Sequence, residues 1–367
     1  VVQLSRLGGL KFVRLWVEYL TPKQLMFYLP VIEEARRRGW SVLVTTRRYR
    51  ETDFLAKKLR VEARVIGKYG GGDLYGKLVS SISRMRKLAP LVERFKPDAA
   101  LSTSPDVARV AFGLGVPHIL ANDSPHSTAV ARLTVPLSLK LVTPWIVPKE
   151  EWVKYGIAAE NVIQYKALDP VMWLKHLSLQ ERLVIRGLRK FKHLVVVRIE
   201  EVQASYMMID RPTIVEDSIV ELAERARDAL LFVLPRYSWQ MKYLKERFKG
   251  LGNVVVATRP VYGPSLLRRT TLFIGSGGTM TCEAALLGVP ALSFYPKEPL
   301  HVERFLIELN LLKRVRSEEI PEATISALSE IDEVRAKQRE LNKRLWSLME
   351  DPLPKIIGVI ESLGSKA

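Results

Sequence analysis

Cysteine is nearly absent: Cys282 is the one cysteine in 367 residues. An intramolecular disulfide is thereby excluded, and no Cys/His cluster has the spacing of a zinc site, so no metal is expected. Long apolar runs are missing as well. No window approaches the roughly 18 to 20 uncharged apolar residues of a membrane span, and Val1 to Leu10 has no apolar stretch of the secretory kind. A cytoplasmic location is expected, with any membrane contact peripheral and on the inner face. Acidic residues are scarce, with 39 Asp+Glu against 57 Lys+Arg and a net charge of +18. That balance favours anionic partners: nucleic acid, nucleotide phosphates or an anionic membrane face. The basic residues are scattered, as in Arg36-Arg37-Arg38 and Arg84-Met85-Arg86-Lys87, and read first as solvated helix faces and second as a binding stripe.

What is present is an ordinary apolar fraction, 47%, enough for packed cores, and a length that calls for about two of them. Short β-branched runs alternate with helical patterns from Phe12–Val17 to Ala291–Phe294. Such alternation predicts an α/β protein with parallel sheets covered by helices on both faces. Thr21-Pro22 opens the first crossover helix, with Pro30 inside it and Gly39 closing it; further helices are predicted over Leu74–Phe95 and Ser329–Glu350. Ala108 to Pro117 echoes Glu283 to Pro290, each reading as helix, glycine cap, then strand. Two related Rossmann-like domains are therefore expected, residues 1–165 and 166–350, followed by a C-terminal helix within 351–367 that packs back on the first.

The strongest local signal is Leu272-Phe273-Ile274-Gly275-Ser276-Gly277-Gly278-Thr279, a strand entering a small-residue turn that opens a helix near Thr279. Glycines permit positive φ and close backbone approach, and a helix N-terminus adds partial positive charge, so the natural guest is a phosphate; the alternative is a plain tight strand-to-helix turn with Glu283 as a carboxylate favourable to the helix dipole. Ser276 and Thr279 offer hydroxyls, and Glu283 stands one turn further on, where a carboxylate accepts hydroxyl protons from a ribose. The Walker lysine and the Gly-x-Gly-x-x-Gly spacing are both missing, which argues against ATPase and dehydrogenase chemistry.

A second candidate is Asn122-Asp123-Ser124-Pro125-His126, which follows a strand. Asp123 and His126 read either as a carboxylate orienting an imidazole base, or as an Asx or Ser-Pro turn with His126 as a polar cap. Asp106 follows another strand and is also accounted for as a carboxylate at a helix start. Arg198 and Arg236 each end a strand and read equally as diphosphate clamps and as exposed side chains.

The segment Ser276-Gly277-Gly278-Thr279-Met280-Thr281-Cys282-Glu283, continued to Gly288-Val289-Pro290-Ala291, resembles the nucleotide-sugar motif of GT-B glycosyltransferases, especially the lipid-linked N-acetylglucosaminyltransferase of peptidoglycan synthesis. It is similar there to the nonhydrolysing UDP-N-acetylglucosamine 2-epimerases. The resemblance implies a GT-B fold, two domains facing across a cleft, with Ser276, Gly277 and Gly278 at a diphosphate and Glu283 at the ribose. It also implies a sugar nucleotide, a UDP-sugar, as substrate with no further cofactor, an acceptor of the lipid-linked kind, and a role for His301 near the base or sugar. Over nearly its whole length the chain is similar to an uncharacterised, mainly archaeal GT-B-like family, domain of unknown function 354. Trp16-Val17-Glu18, Thr21-Pro22-Lys23 and Asn122 to His126 carry that similarity. Where the glycosyltransferases have a glycine-rich loop ending in histidine, this chain has Lys23 and Gln24, so their catalytic machinery is not carried over. Three readings follow: glycosyl transfer; sugar-nucleotide 2-epimerisation with Asp106, Asp123 and His126 as acids and bases; and a non-catalytic RNA binder drawn from the charge alone.

Overall fold

The computed structural model describes residues 13–177, 184–185, 187–202 and 212–363. Val1 to Leu10 and the first residue of the run Phe12–Val17 lie outside these. The chain divides into two compact units, Val1–Leu177 with Glu350–Ala367, and Ser178–Met349.

The first unit is built on seven parallel strands in the order β3 (Arg64–Lys68), β2 (Ser41–Arg48), β1 (Arg14–Glu18), β4 (Ala99–Ser102), β5 (His118–Ala121), β6 (Lys140–Pro144), β7 (Val162–Tyr165). The second has six, in the order β10 (Val254–Val256), β9 (Ala229–Leu234), β8 (His193–Arg198), β11 (Leu272–Gly275), β12 (Ala291–Ser293), β13 (Lys313–Arg314). Strands β4, β5, β9 and β11 are buried along their whole length, which is why they read as apolar runs without alternation. Three strands escape a reading for such runs: β3, β7 and β13. All three are sheet edges. An edge has one neighbour and a face partly open to water, so β3 (Arg-Val-Ile-Gly-Lys) and β13 (Lys-Arg) carry charge instead.

The first crossover helix spans Pro22–Arg37, with Thr21 as its cap accepting from the Gln24 amide at 3.3 Å. Pro30 lies in its interior without ending it, and Gly39 follows at φ 78°. The helix Leu74–Phe95 has the predicted limits. The one expected at Ser329–Glu350 covers Ile331–Ser347 instead, because Ser329 closes a preceding helix, Ile320–Ser329, and Glu330 leaves helical geometry at φ −118°.

The first unit runs past residue 165 to Leu177. The helix Pro170–His176 buries Val171, Met172 and Trp173 there, and His176 meets Asp351 at 2.9 Å. The helix Pro352–Leu363 belongs to this unit, with Glu361 accepting from Arg38 at 2.5 Å.

The internal echo is a structural repeat. Val116 N donates to Ala111 O at 2.8 Å, and Val289 N to Ala284 O at 2.9 Å. Pro117 O accepts from Ala100 in β4, and Pro290 O from Phe273 in β11, both at 2.9 Å. Gly115 and Gly288 close the two helices at φ 67° and 68°. Neither has a tight contact that would obstruct a methyl group. The left-handed backbone alone therefore sets the cost of Gly115→Ala and Gly288→Ala, about 1–2 kcal/mol each. Urea unfolding of the two variants checks this, and a clear inequality would mean that the turns differ energetically.

Candidate functional site

In an open parallel sheet, ligands bind outside the carboxyl ends of the strands where the strand order reverses. The reversal falls between β1 and β4 in the first unit and between β8 and β11 in the second. Polar or small residues end these strands, Glu18 and Ser102 in one unit, Arg198 and Gly275 in the other.

In the first unit a cavity of about 610 Å³ lies at this point, with Lys23, Arg84, Thr103, Asp106, Asp123 and Asp169 among its walls. Lys23 stands in the first turn of the helix Pro22–Arg37, and its Nζ meets Asp123 Oδ2 at 2.5 Å and Asp169 Oδ2 at 2.9 Å. Asp123 comes from the loop after β5, and Asp169 directly precedes the helix Pro170–His176. Ser124 Oγ donates to Asp123 Oδ1 at 2.7 Å, and the Tyr165 hydroxyl donates to Asp169 Oδ1 at 2.5 Å.

The electrostatics separate the two carboxyls. Burial works against the Lys23 ammonium, but the attraction of Asp123 and Asp169 outweighs it and holds Lys23 well above the usual lysine range. Burial also raises Asp123, yet Lys23 and the Ser124 hydroxyl prevail and keep it below the usual carboxylate range. For Asp169, burial and the charge of Asp123 win, and its carboxyl is pushed up to about 6. One carboxylate is thus fixed in its ionised form while its neighbour exchanges a proton near neutrality, the division of roles that acid and base chemistry uses.

Beside this triad lies a second buried network. Arg84, 1% exposed, donates from Nε to Asp106 Oδ2 at 2.8 Å, from Nη1 to Ile66 O at 2.7 Å and from Nη2 to Glu18 Oε2 at 2.7 Å. Glu18, 0% exposed, also accepts from Thr45, which in turn accepts from Trp16 Nε1, each at 2.9 Å. Asp106 receives the Ser81 hydroxyl at 2.5 Å. These bonds brace the carboxyl end of β1 against the helices Leu74–Phe95 and Pro105–Gly113.

In the second unit the small-residue turn has the geometry expected of an anion site. Gly277 lies at φ 73° and Gly278 at φ 81°, ψ −163°, a backbone region reserved for glycine, and the helix Thr279–Leu286 starts at once. The amides of its first turn have no acceptors within the helix. Ser276 and Thr279 are half-buried beside them. Glu283 is 1% exposed, and a methyl group at Gly263 would stand 2.8 Å from its Oε2. A side chain at position 263 would therefore displace the Glu283 carboxylate. Burial, with the Glu283 charge adding, pushes the Tyr262 hydroxyl up to about 12. Glu303, from the helix His301–Glu308, accepts from Ser293 and has its other oxygen turned towards Gly277.

The sequence candidates fare differently. Asp106 and Asp123 line one cavity, but Asp106 is committed to Arg84 and Ser81. Asp123 is gripped by Lys23 and Ser124, and the nearby charge of His126 also lowers its proton affinity. Asp123 thus has a partner that the sequence did not suggest, Lys23, because the start of the first helix brings an ammonium within 2.5 Å. Arg198 is paired with Gly275 in register, and its Nη1 donates to Pro235 O at 2.9 Å; Arg236 Nε donates to Ile199 O at 3.1 Å. His301 begins its helix and is half-buried.

Sequence reasoning passes over Asp169, Tyr165, Glu18 and Arg84. Asp169 falls just past the domain boundary expected at residues 165 and 166, and Arg84 reads as one member of a solvated basic run. The available signals were a carboxylate closing the otherwise apolar strand Trp16-Val17-Glu18 and a helix-start proline after Asp169.

The profile of the family described as "Protein of unknown function (DUF354)" matches residues 13–357. An uncharacterized protein of Methanocaldococcus jannaschii is 26% identical over 307 residues, covering 80% of this chain and 85% of that one. Among solved structures, the UDP-GlcNAc 2-epimerase of Neisseria meningitidis bound to UDP-GlcNAc gives a TM-score of 0.69 at 17% identity, covering 89% of this chain and 94% of that one. The glycotransferase of kitacinnamycin gives 0.61 at 14% identity, covering 96% of this chain and 99% of that one. At these identities the likeness is one of fold, and the fold is GT-B.

Proposed function

This chain belongs to the protein family of unknown function DUF354, and from that premise we propose that it binds a nucleoside diphosphate sugar and transfers the sugar to an acceptor hydroxyl. The observation that carries the reading is the turn Gly275 to Thr279, where two glycines in left-handed backbone place a helix N-terminus at the carboxyl end of β11. The diphosphate is assigned to this turn, the ribose to Glu283, and the acceptor to the cavity of the first unit. UDP is the nucleotide of choice because a protein of like fold holds UDP-GlcNAc.

In this reading Asp169 is the general base. The acceptor hydroxyl gives its proton to the Asp169 carboxylate as its oxygen bonds to the anomeric carbon. The bond from that carbon to the diphosphate oxygen breaks, and the electron pair leaves with the nucleoside diphosphate. The amides of the helix start Thr279–Leu286 stabilise the departing charge. Lys23 keeps Asp123 ionised and orients Asp169.

Calorimetry with UDP and a panel of UDP- and other nucleoside diphosphate sugars tests the binding step. Glu283→Gln keeps the shape and removes the charge, so at about 1.5–3 kcal/mol for a bond to a charged group, affinity is expected to fall by about 10- to 100-fold. An unchanged affinity, or no binding of any sugar nucleotide by the native chain, sinks the reading.

A second reading, epimerisation at C2 of the bound sugar, draws on the likeness to the 2-epimerase fold and on Asp106 and Asp123 sharing one cavity. Incorporation of deuterium at C2 without an acceptor selects it over transfer.

A further inference from the structure

Three side chains on the wall of the first unit's cavity have a buried nitrogen without a hydrogen-bond acceptor: Arg47 Nε, Arg109 Nε and Asn122 Nδ2. All three are donors. Among the described residues no side-chain oxygen lining this cavity is buried without a partner, so what is missing is an acceptor-rich group. The Arg47 guanidinium rests over the Tyr69 ring at 4.9 Å, and Lys77 lies on the same cavity wall. Lys23 and Arg84 are already neutralised by carboxylates, Asp123 with Asp169 and Glu18 with Asp106. The cationic excess of the cavity therefore falls to Arg47, Lys77 and Arg109, of which Arg109 donates from Nη2 to Ser81 Oγ at 2.6 Å and has a distant carboxylate, Asp106, at 3.8 Å. Arginines with open N–H groups are suited to phosphate, whose oxygens accept several such bonds at once.

Leucines share the same cavity wall. Leu74, Leu78 and Leu133 line it and are nevertheless 82%, 54% and 44% exposed. On the helix Leu74–Phe95 the exposed apolar surface continues through Tyr75, Val79 and Ile82, a spacing of three and four that gathers these side chains on one face. Isolated exposed leucines are common on protein surfaces, but a contiguous apolar stripe leading into a cavity with unsatisfied donors marks a ligand with two chemistries.

We infer that this cavity holds a phosphate group carried on an apolar chain, with Arg47, Arg109 and Lys77 around the phosphate and Leu74, Leu78 and Leu133 along the chain. Resting on the transfer reading, this makes the acceptor an amphiphilic phosphate whose hydroxyl is the group served by Asp169.

Calorimetry on the full chain without any sugar nucleotide tests it, using decyl phosphate, decyl maltoside and inorganic phosphate at concentrations below micelle formation. Decyl phosphate is expected to bind at least about tenfold more tightly than either of the others, since it alone meets both surfaces. Arg47→Gln should weaken it by about tenfold, and Lys77→Gln and Leu78→Ser, on the accessible face of a long helix, by about three- to tenfold each. Equal binding of the neutral maltoside would remove the phosphate site, and equal binding of inorganic phosphate would remove the apolar one. Either result, or unchanged affinity in both Lys77→Gln and Leu78→Ser, overturns the inference. UDP binding by the second unit is measured separately, so the failure of one reading is told apart from the failure of the other.

Discussion

Asp169→Asn is expected to lower turnover by about 10²- to 10⁴-fold, the usual cost of losing a general base, and to erase the acid limb of the rate profile. With its carboxyl pushed up to about 6 by burial and by Asp123, Asp169 is protonated below that pH and cannot take the acceptor's proton. The native rate should therefore rise with pH and level off above about 6. A rate measurement from pH 4.5 to 8 on both proteins reads this directly, and an acid limb that survives in Asp169→Asn places the base elsewhere. The same group makes a stability prediction of defined sign. A carboxyl raised in the folded state binds its proton more tightly there than in the unfolded chain, so the native fold holds the extra proton between the ordinary aspartate range and about 6. Asp169 thus contributes a stability that is greatest at low pH and is lost as the pH rises through that window. Asp123, held low by Lys23, contributes oppositely: its stabilisation is present above the ordinary range and is lost as the pH falls through its depressed value. The difference between native and Asp169→Asn unfolding free energies across the acid range should therefore fall as the pH rises to about 6, and a difference that does not change with pH would refute it.

Arg84→Met should destabilise the first unit by about 3–5 kcal/mol, because it strands two buried carboxylates. Glu18 is fully buried and Asp106 nearly so, and each loses its 2.7 or 2.8 Å partner at once. Methionine restores most of the volume, so the loss measures the unpaired charge more than a cavity. Five of the seven tryptophans lie in the first unit and two, Trp239 and Trp346, in the second, so tryptophan fluorescence in urea, measured with Trp239 and Trp346 replaced by Phe, follows the unfolding of the first. The triple replacement Glu18→Gln, Asp106→Asn, Arg84→Met removes the stranded charges and should recover part of the stability. A single Arg84→Met variant as stable as the native chain would mean that water reaches these carboxylates.

The parts of the site legible in the sequence are those made within one stretch of chain. Gly275 to Thr279 is a strand, a turn and a helix start in consecutive residues, so residue type and spacing alone announce its geometry. The same holds for the Gly115 and Gly288 closures. Asp123 was visible as a polar residue after a strand, but its partner was not. The imidazole three residues away is the near candidate in sequence, while Lys23 and Asp169 become neighbours only once β1, β5 and β7 have taken their places in one sheet. Arg84 misleads for a related reason: in a helix read alone it belongs to a charged run, and only packing turns it inward onto Glu18.

The sequence by itself determined that this is an α/β protein of two related parallel-sheet units, because strands buried on both faces must be apolar throughout and the helix closures need glycine at positive φ. It also marked the strand, glycine turn and helix start at Gly275 to Thr279 in the second unit. Tertiary structure alone decided which strands form the sheet edges, since β3 and β13 carry charge while β10, also an edge, is Val-Val-Val and reads like a central strand. It also decided which carboxylate near Lys23 stays ionised and which takes a proton. That choice depends on distances of 2.5 to 2.9 Å among residues far apart in the chain, and on the burial that makes so small a difference count.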